Sequence, residues 1–194
     1  VQPGEFLLTL LSTSVGIDNG GHIDNANGAV KSTVIKGITS TASNAVMLGG
    51  VDLTTGPWVH VVGAVGEHKM VYAAGAVGVT WEPAGGGAAR PMTWLTTTFD
   101  APASVLAPAD STTELKATLN LDVTGLGRGR FFVNGMDLGR YWTKLCGGKE
   151  MCQRYYPIPF DKLKPSGNIL AVLDELGPTN LSSVRLAVSE NRAQ

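Results

Sequence analysis

The sequence has few charged residues and no excess of positive charge. Charged side chains make up 16% of its 194 residues, and the formal net charge is −1. A nucleic-acid-binding domain presents a basic patch to the phosphates, so this composition argues against such a function. The chain also lacks an apolar run of the roughly 18 residues that a membrane-spanning helix needs. We therefore expect neither nucleic acid nor membrane among its partners.

Helical periodicity is equally scarce. No segment longer than a turn repeats its apolar residues every ~3.6 positions. The 25 glycines, together with many Thr, Val and Asn residues, are typical of a turn-rich β protein. About ten short strands, separated by turn signals every ~8–14 residues, predict an all-β fold, an antiparallel β-sandwich or jelly roll.

Two segments, residues 92–99 and 115–123, alternate apolar and polar side chains with the period of a β-strand. In the second segment we expect the polar side chains, among them Asn120 and Asp122, to form a solvated face. Gly49-Gly50 marks a turn or bulge. Shorter patterns predict further strands at residues 6–12, 29–38, 58–65, 77–82, 169–173 and 184–188.

The strongest local signal is a hairpin centred on Asn134-Gly135. This dipeptide follows Phe131-Phe132-Val133 and supplies the two positive φ angles of a type I′ turn. The returning strand ends in Arg140-Tyr141-Trp142, a cation beside two large amphipathic rings. These side chains either fill a core or present an aromatic and basic surface to a sugar or a partner domain.

The two cysteines, Cys146 and Cys152, flank a Gly-containing loop. Their spacing is not that of a zinc site, and no His lies nearby. We predict a disulfide, which implies an oxidising compartment; two free buried thiols are the alternative. Asn180-Leu181-Ser182 is an N-glycosylation sequon, which fits a secretory route.

The chain begins Val1-Gln2-Pro3-Gly4, with neither an initiator methionine nor a charged-then-apolar leader. We expect it to be a processed or excised piece of a longer protein.

Residues suited to metal binding or nucleophilic attack are few. Asp18, His22 and Asp24 share a Gly- and Asn-rich loop, but their spacing does not match a calcium-binding loop, and we interpret the loop as structural. The three histidines all fall within the first 68 residues. No Gly-x-Ser-x-Gly elbow accompanies them, so we reject a nucleophilic hydrolase. We predict neither a metal nor a cofactor.

Four blocks in the second half of the chain follow one another in a specific order. They are Pro91–Pro102 (PMTWLTTTFDAP), Gly129–Trp142 (GRFFVNGMDLGRYW), Tyr156–Pro159 (YPIP) and Leu163–Leu170 (LKPSGNIL). In this order they resemble the C-terminal β-domain of glycoside hydrolase family 35 β-galactosidases. The first half is similar more loosely, through residues 10–17 and 58–67. The cysteine-rich insert common in plant members is shortened here to the loop of Cys146 and Cys152.

The resemblance implies a galactose-binding-like jelly roll. Residues 1–38 would supply the closing strands of a preceding galactose-binding-like domain, and residues 39–194 would form the terminal jelly roll. The alternative is that residues 1–194 form one β-sandwich unit.

The resemblance also implies that the chain does not itself catalyse hydrolysis. In that family both catalytic glutamates lie on a (β/α)8 barrel, whose alternating pattern is missing here. We expect an accessory β-domain that packs on and frames the barrel, beside a neighbouring β-domain, and that exposes an apolar patch of roughly several hundred Å². The alternative is an independent galactose- or glycan-binding module, and Trp94, Arg140, Tyr141 and Trp142 are the candidate residues for either role.

The same resemblance, with the predicted disulfide and the sequon at Asn180, implies the secretory pathway: extracellular, cell-wall, vacuolar or lysosomal.

Overall fold

Antiparallel strands make up nearly all the regular structure that is described. The computed structural model describes residues 7–9, 46–59, 64–84, 90–106, 117–143, 145–148 and 150–190. The strands, in chain order, are β1 (Met47–Leu48), β2 (Val51–Asp52), β3 (Thr93–Phe99), β4 (Ala117–Asp122), β5 (Arg128–Val133), β6 (Met136–Trp142), β7 (Leu145–Cys146), β8 (Glu150–Met151), β9 (Tyr155–Ile158), β10 (Asn168–Asp174) and β11 (Arg185–Glu190). They are accompanied by one short α-helix, α1 (Val65–His68), and by 3₁₀ turns at Ala103–Val105, Phe160–Lys162 and Leu181–Ser183.

The chain divides into two units, Val1–Val61 and Val62–Gln194. In the first, β1 and β2 pair as a small antiparallel hairpin. Its turn is Gly49-Gly50, and both glycines have positive φ, as the predicted turn at this dipeptide requires. The expected strand at residues 29–38, the loop with Asp18, His22 and Asp24, and most of residues 6–12 lie outside the described residues.

Two antiparallel sheets build the second unit. Sheet A has the strand order β3-β10-β5-β6, and sheet B has the order β11-β4-β9. The inner faces of both sheets contribute to one apolar core, which includes Leu119 and Leu121 of β4, Phe131 of β5 and Val172 of β10. The predicted all-β antiparallel sandwich is therefore confirmed.

The hairpin of β5 and β6 turns at Asn134-Gly135, as predicted, with φ of 52° and 85°. A bulge in β6 interrupts the pairing: Phe131 faces Gly139 whereas Phe132 faces Asp137, so Leu138 is the extra residue. Gly139 adopts a φ of 105°, which a residue with a Cβ would strain to reach. Because of the bulge, Leu138 and Tyr141, three positions apart, both pack against the core.

The two ends of the central strand β10 are fixed to this hairpin by buried polar side chains. At its start Asn168, with 0% exposure, accepts a hydrogen bond from Asn134 Nδ2 (2.9 Å). At its end Asp174, also 0% exposed, accepts from Gly127 N (2.6 Å) and the Tyr141 hydroxyl (2.9 Å). Buried polar groups without such partners are costly, so both ends specify the register of β10 against β5.

Part of the outer face of sheet A is covered by the segment around α1. The Tyr72 ring stacks on Phe132 with centroids 4.4 Å apart, and Trp94 lies 5.6 Å from the same ring. A Cβ on Gly66 would come within 2.1 Å of Trp94 Nε1. The absence of a side chain at Gly66 therefore lets this segment approach the sheet.

Three predictions about strands are wrong. Residues 77–82 contain no strand, because Gly75 and Gly78, both at positive φ, turn the chain there. The strand expected at 58–65 is wrong at both ends, because Trp58, Val59 and Ala64 are not in a strand and Val65 begins α1, while residues 60–63 lie outside the described residues. The third error concerns the face of β4 that we expected to be solvated.

Asn120 and Asp122, on that outer face of β4, are buried. Asn120 Nδ2 donates to Ser189 Oγ (2.9 Å) on β11. The carboxylate of Asp122 accepts two hydrogen bonds from Arg154 (3.0 and 2.8 Å) and one from the Thr124 hydroxyl (2.6 Å). Alternation predicted the correct face, but it could not show that neighbouring polar side chains would cover one another.

We predict that Asn168→Ala lowers the free energy of unfolding by about 2–4 kcal/mol, because the substitution removes partly buried hydrogen bonds to the Lys164 backbone and to Asn134. Asn168 Nδ2 donates to Lys164 O (2.7 Å), and Asn168 Oδ1 accepts from Lys164 N (2.8 Å). The measurement is urea unfolding, with Ser166→Ala in the exposed turn just before β10 as the control. Equal stabilities of the two variants would contradict the assigned role.

A second prediction concerns acid. The Arg154 guanidinium holds the pKa of Asp122 well below its usual range, against the opposing effect of burial. Because the pKa of an Asp in the unfolded chain is about 3.9, the ionised Asp122 contributes its full stabilisation above about pH 4, and this contribution is lost progressively as the pH falls from there towards the lowered pKa of the folded state. Asp122→Asn should therefore flatten the acid side of the stability profile, measured as the urea midpoint at successive pH values. An unchanged slope would show that Asp122 does not drive this loss.

Candidate functional site

The alternation of β6 separates the candidate residues of the hairpin into two groups. Tyr141 points into the sandwich and is 1% exposed, whereas Trp142 is 43% exposed. Arg140, two positions before Trp142, shares its outward face. Sequence reasoning grouped the three side chains, but in the structure only Arg140 and Trp142 reach the surface of sheet A.

Tyr141 belongs to the core. Its hydroxyl donates to Asp174 Oδ2 (2.9 Å), and its ring meets the Tyr156 ring edge-on at 6.3 Å. Burial, followed by the nearby Asp174 carboxylate, raises the pKa of the Tyr141 hydroxyl far above its usual value. Tyr141 therefore stays protonated and acts as a fixed hydrogen-bond donor.

An ion-paired cluster lies on the outward face, where β5 begins and β6 ends. Arg128 is the cross-strand neighbour of Trp142. Arg128 Nε lies 2.9 Å from Glu175 Oε2, and an Arg140 guanidinium nitrogen lies 2.6 Å from Glu175 Oε1. We call Arg128, Arg140, Trp142 and Glu175 the corner cluster.

The chemistry of the corner cluster suits contact better than catalysis. Glu175 is buried, and each carboxylate oxygen accepts from a guanidinium group. Glu175 therefore serves as the ion-pair partner of both arginines. The half-exposed Trp142 ring offers an apolar surface beside donors already fixed in position, a combination that can meet either a protein surface or a sugar.

An additional apolar side chain lies next to this cluster. Leu176 is 54% exposed and sits beside Gly127, where a Cβ would come within 2.8 Å of Leu176 Cβ. The carbonyl of Gly127 accepts from Thr143 N (3.0 Å), the residue that follows Trp142. Leu176 is therefore an exposed apolar side chain near the same end of the sandwich.

Trp94 lies elsewhere on the same sheet face. Through the register of sheet A it shares a row with Leu173, Arg130 and Arg140. Three strand spacings of ~4.8 Å separate Trp94 from Arg140 along this row, about 14 Å in all. Trp94 also packs beside Tyr72 (6.1 Å between centroids). The structure does not bring Trp94 together with Trp142 as one aromatic platform.

A shallow apolar groove of about 150 Å³ lies at the other sheet, lined by Val105, Ala117, Thr118, Leu119, Pro157, Ile158, Pro159 and Phe160. This volume is below the ~300 Å³ at which small-molecule pockets usually begin. None of the candidate binding residues predicted from the sequence lines this groove.

The remaining predicted residues have defined places. Cys146 and Cys152 form the predicted disulfide, which links β7 to the chain just after β8, so the two thiols are not free. Asn134 and Gly135 form the turn described above. Asn180 is exposed and begins the 3₁₀ turn Leu181–Ser183.

The described part of the chain contains neither a metal-ligating cluster nor a membrane-spanning helix. There, no group of three or more His, Cys, Asp or Glu side chains is arranged to hold a metal. Nor is any helix among these residues long and apolar enough to cross a membrane.

Sequence reasoning missed Glu175, the centre of the corner cluster. A signal was present, because alternation from Leu173 places Glu175 on the same face of sheet A two positions later. It missed Arg128 as well, since its closeness to Trp142 depends on the hairpin register with its bulge. Neither residue has a distinctive spacing in the sequence.

Comparison with known proteins gives concordant matches. A family model described as "Beta-galactosidase, galactose-binding domain" matches residues 92–168. Beta-galactosidase 11 of Oryza sativa subsp. japonica is 32% identical over 173 residues, which are 88% of this chain and 18% of the relative. Beta-galactosidase 12 of the same organism is 30% identical over 173 residues, 87% of this chain and 16% of the relative.

A third rice relative, Beta-galactosidase 3, is 26% identical over 216 residues, 97% of this chain and 23% of the relative. The chain therefore spans between 16% and 23% of the length of these curated relatives.

Matched substitutions to phenylalanine test the division between core and surface. Tyr141→Phe should lower the free energy of unfolding by about 2 kcal/mol, because the buried Asp174 carboxylate loses a hydrogen bond. Trp142→Phe should cost less than about 1 kcal/mol, because the ring is half exposed. Urea unfolding of both variants makes the comparison, and equal losses would contradict the division.

Proposed function

Because this chain is a non-catalytic, galactose-binding-like accessory region of the kind that β-galactosidases contain, we propose that it is part of a longer β-galactosidase. In this proposal it packs on the catalytic (β/α)8 barrel and a neighbouring β-domain and frames the active-site entrance. In this proposal the catalytic barrel of the parent enzyme hydrolyses terminal β-galactosides. The observation that carries the proposal is the family match over residues 92–168, a range that contains the hairpin and three of the four strands of sheet A.

The corner cluster supports a contact with another domain. Trp and Arg are among the residue types most enriched at the energetic centres of protein interfaces, and Arg128 and Arg140 lie on the same strand pair as Trp142. Both arginines are already paired with Glu175 (2.9 and 2.6 Å). If another domain buried these two arginines, fewer charges would be left unpaired at the interface than if it buried two arginines without a carboxylate partner.

The alternative, an independent galactose- or glycan-binding module, is less well supported. Its four candidate residues do not converge: Tyr141 is buried, and Trp94 packs against Tyr72 and Phe132. Of the four, only Arg140 and Trp142 share one outward face, and the groove described above lies at the other sheet. A galactose-binding-like fold does not by itself confer binding.

We also propose a secretory location for the parent. A disulfide between Cys146 and Cys152 persists in oxidising compartments and is rare in the cytosol. The curated relatives are plant β-galactosidases. The resemblance of this chain to that family favours a location of the parent in the extracellular space, cell wall or vacuole.

The test is to place Trp142→Ala both in this chain alone and in the whole parent enzyme. If Trp142 is covered by another domain, the substitution should destabilise the parent by about 2 kcal/mol more than it destabilises the isolated chain. Phe160→Ala, at an exposed aromatic residue beside the apolar groove, is the matched control and should show no such excess. Stability is measured by urea or thermal unfolding of the unit that contains residue 142.

Equal effects of Trp142→Ala in both contexts would rule out Trp142 as an interface residue. A galactose titration of the isolated chain, monitored by tryptophan fluorescence, distinguishes the accessory domain from the independent sugar-binding module. We expect no saturable response, whereas a saturable response that Trp142→Ala abolishes would establish the sugar-binding module instead.

A further inference from the structure

The connection between β10 and β11 carries a modification motif. Asn180-Leu181-Ser182 is the only Asn-x-Ser/Thr sequence with x other than Pro among the 194 residues. We propose that Asn180 is a site of N-glycosylation and carries an oligosaccharide on its side-chain nitrogen. The inference rests on the secretory route proposed above, but it is argued from the geometry of this turn.

The side chain of Asn180 presents its nitrogen outwards. Asn180 is exposed, with extended backbone at φ −155° and ψ 94°. Its Oδ1 accepts from Ser182 N (3.2 Å) and the Ser182 hydroxyl (2.6 Å). Among the described residues no acceptor binds Asn180 Nδ2. The oxygen is thus engaged in the turn, while the nitrogen that would carry the sugar is free.

The backbone beneath this side chain is held firmly. Gly125 O accepts from Thr179 N (2.8 Å) and Asn180 N (3.1 Å). A Cβ on Gly125 would lie 2.0 Å from Asn180 O, so the two backbone segments are in direct contact. A glycan at Asn180 would therefore project from a fixed point of the sandwich without displacing any core residue.

Glycosylation is compatible with the turn. The modified side chain is a secondary amide that keeps Oδ1, so both hydrogen bonds from Ser182 can persist. The transfer forms a bond between Nδ2 and the anomeric carbon of a polyprenyl-diphosphate-linked oligosaccharide. The bond from that carbon to the diphosphate oxygen breaks, the electron pair leaves with the diphosphate, and Nδ2 loses one proton to a base.

A purely structural role is the competing explanation. Asn is a favoured residue before a helical turn because its oxygen caps the turn, and Asn180 does accept such a bond. Capping accounts for the hydrogen bonds that Asn180 Oδ1 accepts from Ser182, but it gives no role to Asn180 Nδ2. Direct chemical mapping separates the two explanations, because a cap alone adds no mass.

The first experiment translates the chain behind a cleavable secretory leader in the presence of microsomes. Wild type and Ser182→Thr, which keeps the sequon, should both gain an oligosaccharide at Asn180. Ser182→Ala, which removes the sequon, should remain unmodified. The readout is peptide mapping after an amidase that releases N-glycans and converts the modified Asn180 to Asp. A translocated wild-type chain without glycan, or a glycan that survives Ser182→Ala, overturns the proposal.

The second experiment maps Asn180 and the two cysteines in the parent protein from its native source. A glycan at Asn180 is the expected result. An unmodified Asn180 with Cys146 and Cys152 bridged would overturn the glycosylation site and leave the secretory route standing. An unmodified Asn180 with free thiols would overturn both.

Discussion

The hydrogen bonds that fix the two ends of β10 to the β5–β6 hairpin are the constraint on which the sandwich depends. Asn168 is bonded to the turn residue Asn134, and Asp174 is bonded to Tyr141 and Gly127. A strand that slips by one residue moves its apolar side chains to the opposite face. Here a slip would also leave two fully buried polar groups unpaired. The register of β10 is therefore specified twice, by the burial of its apolar side chains and by the hydrogen bonds at its two ends.

This constraint shapes the outer surface as well as the core. With β10 and β6 in register with β5, Glu175 falls beside Arg128 and Arg140, and Trp142 lies across from Arg128. The bulge at Leu138 lets β6 direct both Leu138 and Tyr141 inwards, while Arg140 and Trp142 stay outside. One strand therefore supplies a core anchor and a contact surface from adjacent positions.

The candidate surfaces of the second unit differ in what they offer. The corner cluster combines a half-exposed Trp142 with arginines whose charge is balanced in part by Glu175. At Asn180 the turn instead exposes a side-chain amide nitrogen, and the backbone of this turn is held by hydrogen bonds to Gly125 O. An interface needs apolar area and paired charges, whereas a glycan needs only an accessible nitrogen on a stable turn. The two proposals therefore draw on different residues.

Four features could be predicted from the sequence alone: the strand-rich class, the hairpin at Asn134-Gly135, a disulfide between Cys146 and Cys152, and the family resemblance. These depend on local chemistry: alternation, the positive φ of the turn, and a short loop between two thiols. Tertiary structure decided that Asn120 and Asp122 are buried and that Glu175 joins two arginines. It also placed the Tyr141 hydroxyl against Asp174. The burial of Asn120 and Asp122 and the pairing of Glu175 with Arg128 and Arg140 depend on neighbours distant in sequence, such as Ser189 across a sheet. Alternation within one strand predicts a face, but it does not identify those neighbours.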